Sequence, residues 1–132
     1  MRPTVAIDLD GTLAEKDGPF DINHIPDPCP EARDFLTDVR QYADVLIYTC
    51  RCNAELNKPE APSLLRKRVV TWLEEHDLPY GDVWIGQGKP IACAYVDDRA
   101  VYASPHTLRG DYMDVSEAIW GLCKCLVEEE DE

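Results

Sequence analysis

The chain has 132 residues, enough for one domain with a real core, and 45% of them are hydrophobic. Its net charge of −13 argues against a long nucleic-acid surface, which needs clustered lysine and arginine, and fits a soluble, monodisperse protein or one that binds cations. No stretch approaches the roughly 18 consecutive apolar residues of a membrane span, and no basic-then-apolar leader is visible, so the expectation is a cytoplasmic protein with reduced cysteines.

Thr4 to Ile7 reads as a short buried strand, followed by Asp8, Leu9 and Asp10. Gly11 to Cys29 is polar and broken by Gly18, Pro19, Pro26 and Pro28, and reads as a loop. Pro30 can open a helix in which Phe35, Leu36, Val39 and Tyr42 keep helical spacing to about Ala43. Asp44 to Thr49 is a second buried strand, and a long loop follows through "CRCNAELNKPEAP".

Ser63 is the expected cap of the next helix, whose apolar stripe is Leu65, Val69, Trp72 and Leu73. Asp82 to Gly86 is a third strand and Ile91 to Val96 a fourth. Asp114 and Glu117 resemble a capping box before a final helix with Val115, Ile119, Leu122 and Leu126 on its apolar face. Short, continuously apolar strands alternating with amphipathic helices predict a single doubly wound α/β domain over residues 1–127. It has a central parallel sheet and helices on both faces, and an acidic tail follows at 128–132.

The cysteines include two C-x-C pairs, Cys50/Cys52 and Cys123/Cys125. That spacing is tighter than the usual zinc pattern, and i and i+2 do not share a helix face, so they read as free thiols and small apolar fillers.

In doubly wound folds the site lies at the carboxyl ends of the strands. Those ends carry Asp8 and Asp10 with Gly11 and Thr12, then Thr49 and Arg51, then Lys89, then Asp97 and Asp98. Four carboxylates cannot share a small site without a cation, and oxygen ligands suit Mg²⁺ held together with a substrate phosphate. The Thr49 hydroxyl and Lys89 offer donors to phosphate oxygens, which matches phosphoryl transfer. With no Ser-His or Cys-His arrangement in the set, a carboxylate is the natural nucleophile, and a second can move protons.

These residues resemble the haloacid dehalogenase superfamily of phosphohydrolases. "DLDGTL" (Asp8 to Leu13) is similar to its first motif, Thr49 in "LIYTCR" to its second, Lys89 to its third and Asp97-Asp98 to its fourth, over roughly residues 4 to 102. The resemblance implies a Mg²⁺-dependent phosphatase acting through an aspartyl-phosphate. Asp8 is then the nucleophile and Asp10 the general acid/base, while Thr49 and Lys89 orient the phosphoryl group. Asp97 and Asp98, with the Asp8 side chain and the Asp10 carbonyl, hold the metal. Gly11 permits the turn that brings backbone N–H groups to the phosphate.

Two departures from the family pattern stand out. Only seven residues, Pro90 to Val96, separate Lys89 from Asp97, too few for the helix many members place there. Glu15 to Cys29 holds only a loop where members selecting small metabolites insert a cap, so the chain resembles a capless member, whose open site suits a large phosphorylated substrate, an assisting oligomer partner or, equally, promiscuous hydrolysis of small phosphate esters.

Arg51 reads equally as a solvated loop residue or as a contact to substrate phosphate. Two alternatives accompany the phosphatase. The Arg51 loop and "DDRA" are similar to polynucleotide end-phosphatases, against which the acidic charge counts. A receiver-type phospho-aspartate domain shares the residue types but places its phosphorylated aspartate at the third strand, and here that strand, "DVWIG", ends without one.

Overall fold

A computed structural model describes residues 2–86, 88–100 and 116–124. The chain divides into two compact units, Met1–Asp98 and Arg99–Glu132. In the second, 116–124 is helical, with Ile119 and Trp120 exposed. The expected cap at Asp114, Val115, Leu126 and the acidic tail lie outside the described residues.

The first unit is an α/β fold built on an all-parallel sheet of four strands: β1 (Thr4–Ile7), β2 (Asp44–Ile47), β3 (Asp82–Val83) and β4 (Ala94–Val96). Helix α1 (Ala32–Arg40) joins β1 to β2, and α2 (Pro62–Glu75) joins β2 to β3. The strand order is β3-β2-β1-β4. Successive strands step outward from β1 to β3, and the chain then returns to the other side of β1. The reversal falls between β1 and β4.

The inner strands β1 and β2 are paired on both sides and supply most of the sheet's buried apolar residues. Val5, Ala6, Ile7, Val45 and Ile47 are buried, whereas β4, an edge strand, keeps Ala94 and Tyr95 exposed. Helix α1 buries Ala32, Leu36 and Val39, the i, i+4, i+7 stripe expected of one covered face. Helix α2 buries Leu65, Val69, Trp72 and Leu73. Each fully buried Leu, Ile or Val contributes about 1.5–3 kcal/mol from apolar area removed from water.

The first strand runs as expected, Thr4–Ile7, whereas the expected second, third and fourth strands exceed the observed ones by two, three and three residues. Ser63 does not cap α2. Ala61 is the N-cap, with no side-chain bond, and Pro62 occupies the first turn, where its missing N–H costs nothing. The helix ends in a Schellman arrangement: Leu78 N–H donates to Leu73 O at 2.9 Å and Asp77 N–H to Glu74 O at 3.2 Å. Asp77 takes the left-handed conformation usually given to glycine, at φ 59°. Arg33 donates to the carbonyls of His76 and Asp77 (2.9 and 3.1 Å), fastening the start of α1 to this turn.

Candidate active site

Register decides which side chains meet. Ile7 pairs with Val96 on one side and with Ile47 on the other. The ladder runs one step further on both sides, with Asp8 N–H donating to Val96 O and Tyr48 N–H to Ile7 O, each at 2.9 Å. The residues following β1, β2 and β4 therefore leave the sheet side by side.

Asp8, Asp97 and Asp98 converge, each offering a carboxylate oxygen within 4.8 Å of the others. Opposite ligands of an octahedral Mg²⁺ lie about 4.2 Å apart, so the three oxygens match the reach of one hard cation with small side-chain adjustments. Asp8 shows what the cluster costs without one. Burial pushes its carboxyl up from 3.8 to about 7; the Leu9 N–H opposes this, and the charges of Asp97, Asp98 and Asp10 add to it. A divalent ion would relieve both the desolvation and the repulsion.

The chain leaves β1 through a tight turn. Leu13 and Ala14 donate to Leu9 O at 3.0 and 2.9 Å, and Gly11 donates to Ala14 O at 2.8 Å. Gly11 has φ +76°, and a Cβ there would run into the Asp98 carboxylate and lie 2.7 Å from Lys16 Cε. Glycine is thus required by backbone and by space. The neighbouring Thr12 hydroxyl is buried and has no hydrogen-bond partner among the described residues. A buried, unpaired hydroxyl is uncommon and suits a ligand oxygen.

The same turn delivers a lysine that sequence reasoning passed over. Lys16 Nζ lies 3.0 Å from Asp98 Oδ2. Lys89, the lysine expected at the site, places its ammonium over the Tyr95 ring, 4.1 Å from the centroid. Lys16 was missed because it follows no strand end; the only hint was Gly11, which lets the loop double back.

Thr49 is buried, and its Oγ1 accepts the Arg51 N–H at 3.2 Å, capping the turn Cys50–Cys52. Its own O–H remains a donor. Arg51 is buried as well, at 3% exposure. Its Nε and Nη2 each donate to Asp10 at 2.8 Å, one to Oδ2 and one to Oδ1. The Asp10 side chain therefore faces an arginine and is not among the three carboxylates that converge. Arg51 is neither a solvated loop residue nor open to a phosphate in this state.

Cys52 is buried, which pushes its thiol up to about 11, while Cys50 is exposed, so the pair presents no joint metal face. An open cleft between loop 19–22 and turn 56–60 borders Phe20, whose ring lies 4.6 Å from the Arg51 guanidinium. No helix among the described residues is long and apolar enough to cross a membrane. Comparison of the chain with known protein families, curated proteins and solved structures gives no match.

Proposed function

We propose that this chain is a Mg²⁺-dependent phosphohydrolase of the haloacid dehalogenase type, with a doubly wound, Rossmann-like domain and no cap. The observation that carries the proposal is the convergence of Asp8, Asp97 and Asp98 at the strand-order reversal, with Asp8 held near neutrality by burial. Perturbed carboxylates in a crevice at a strand-order reversal are where chemistry is expected.

Asp8, Asp97 and Asp98 would hold the ion, which supplies positive charge to the phosphoryl oxygens and favours ionised Asp8. The ionised Asp8 oxygen attacks phosphorus, and the ester P–O bond breaks. Asp10 gives its proton to the departing oxygen, leaving an acyl phosphate on Asp8 and an alcohol. Asp10 then takes a proton from water, the water oxygen attacks phosphorus, and inorganic phosphate leaves with Asp8 restored. The Thr12 and Thr49 hydroxyls are the donors for phosphoryl oxygens. Lys16, not Lys89, is the cation beside them, since it already stands against Asp98.

The loop Glu15 to Cys29 leaves the carboxyl edge reachable by a large phosphorylated substrate. The net charge of −13 disfavours a polynucleotide. Hydrolysis of an aryl phosphate should require Mg²⁺, stop with chelator, and be abolished by Asp8→Asn. Undiminished turnover in the variant would overturn the proposal.

A further inference from the structure

We propose that Arg51 is the positioning residue for Asp10: its guanidinium fixes the carboxylate that moves the proton and ties that carboxylate to the loop at the site's mouth. This rests on the roles proposed above for Asp8 and Asp10. Ile7 and Ile47 are paired, so Asp10, three residues past β1, and Arg51, four residues past β2, emerge next to each other.

Four of the five guanidinium N–H groups are committed. Two reach Asp10 at 2.8 Å. One from Nη1 reaches Asp21 O at 3.0 Å, and one from Nη2 reaches His24 O at 2.9 Å. Phe20 covers the guanidinium face. One donor left over cannot grip a phosphate in the two-pronged way that would make Arg51 a substrate residue. A rigid planar fork on both oxygens does something else. It sets the plane of the Asp10 carboxyl and forbids rotation about its side-chain torsions. Each oxygen keeps a second lone pair for the proton it must deliver and recover. Because the same fork holds Asp21 and His24, the loop and the acid are placed together. Rates fall steeply when a proton donor is misaimed.

The test exploits leaving groups. Proton delivery matters for a poor leaving group, such as an alkyl alcohol, and little for dinitrophenol, which departs as a stable anion. With Mg²⁺ present, Arg51→Gln should lower the single-turnover rate of alcohol release from an alkyl phosphate about 100-fold while changing that of dinitrophenol release less than about threefold; the water step, common to both esters, follows this release. Arg51→Lys, which cannot form the fork, should not rescue. In an Asp10→Asn background, Arg51→Gln should add no further loss. Equal losses on both esters, rescue by lysine, or additive losses would each overturn the proposal. Should both Arg51 variants fail to fold, NMR of the folded wild type decides: its Arg51 Nε–H signal should be slow to exchange and should move upfield in Asp10→Asn, and an unmoved signal overturns the pairing. Undiminished turnover in Asp8→Asn, with Arg51 intact, would be a separate failure, that of the phosphatase reading itself.

Discussion

Ile7 and Val96 face each other across the β1–β4 pairing, and the Asp8 N–H continues that ladder with a 2.9 Å bond to Val96 O. Two segments almost ninety residues apart in sequence thus end at the same edge, and their next residues are aspartates. The acidic cluster follows directly from strand register. A one-residue slip would turn every side chain of β4 to the opposite face and scatter it.

Asp8 should be a stability liability in the metal-free protein. The folded state holds its proton to pH about 7, whereas an unfolded chain releases it near 3.8. Between those values the folded state binds more protons, so stability falls as pH rises from about 4 to about 7. Asp8→Asn removes that loss. In chelator, thermal melts should show no advantage for the variant below pH about 4 and a growing advantage up to pH about 7. A variant that melts lower than wild type at neutral pH would contradict the burial and repulsion assigned to Asp8.

Asp10 should behave in the opposite way, although it lies two residues on. Its carboxylate is the counter-charge of a buried arginine. Asp10→Ala leaves that guanidinium unpaired and should cost about 1–3 kcal/mol in urea unfolding, below the range for a fully buried pair because Asp10 is partly exposed. The contrast in sign between the two aspartates is the useful readout.

The two lysines separate cleanly. Lys16→Met should lower kcat for an aryl phosphate about 10- to 100-fold, the scale of losing one charged donor to a phosphoryl group. It should also tighten Mg²⁺ binding measured by calorimetry, since Asp98 gives up its ammonium partner. Lys89→Met should leave both quantities within about twofold, because its charge rests on Tyr95.

The parts of the fold that were legible are those governed by local pattern. Apolar runs marked β1 and β2, and the stripes Leu36/Val39 and Leu65/Val69/Trp72/Leu73 marked the buried helix faces. Asp8, Asp97 and Asp98 were legible as a group because each adjoins a strand end, and parallel strands bring those ends together. Arg51 and Lys16 were not legible, for a common reason. Their places are set by loops that return on themselves. Lys16 comes back through the left-handed Gly11 turn, and Arg51 is buried only because Phe20, Asp21 and His24 fold over it. No periodicity encodes such a return. Ser63 misled because Pro62 had already filled the helix's first turn.

The most direct measurement is a trap for the acyl phosphate. The protein with Mg²⁺ and an aryl phosphate is quenched within a turnover, reduced with borohydride, and mapped by mass spectrometry. An aspartyl-phosphate is reduced at its acyl carbon to homoserine, so homoserine should appear at position 8 and nowhere else. Steady hydrolysis with Asp8 unmodified, or with the label at Asp10, Asp97 or Asp98, would contradict the account.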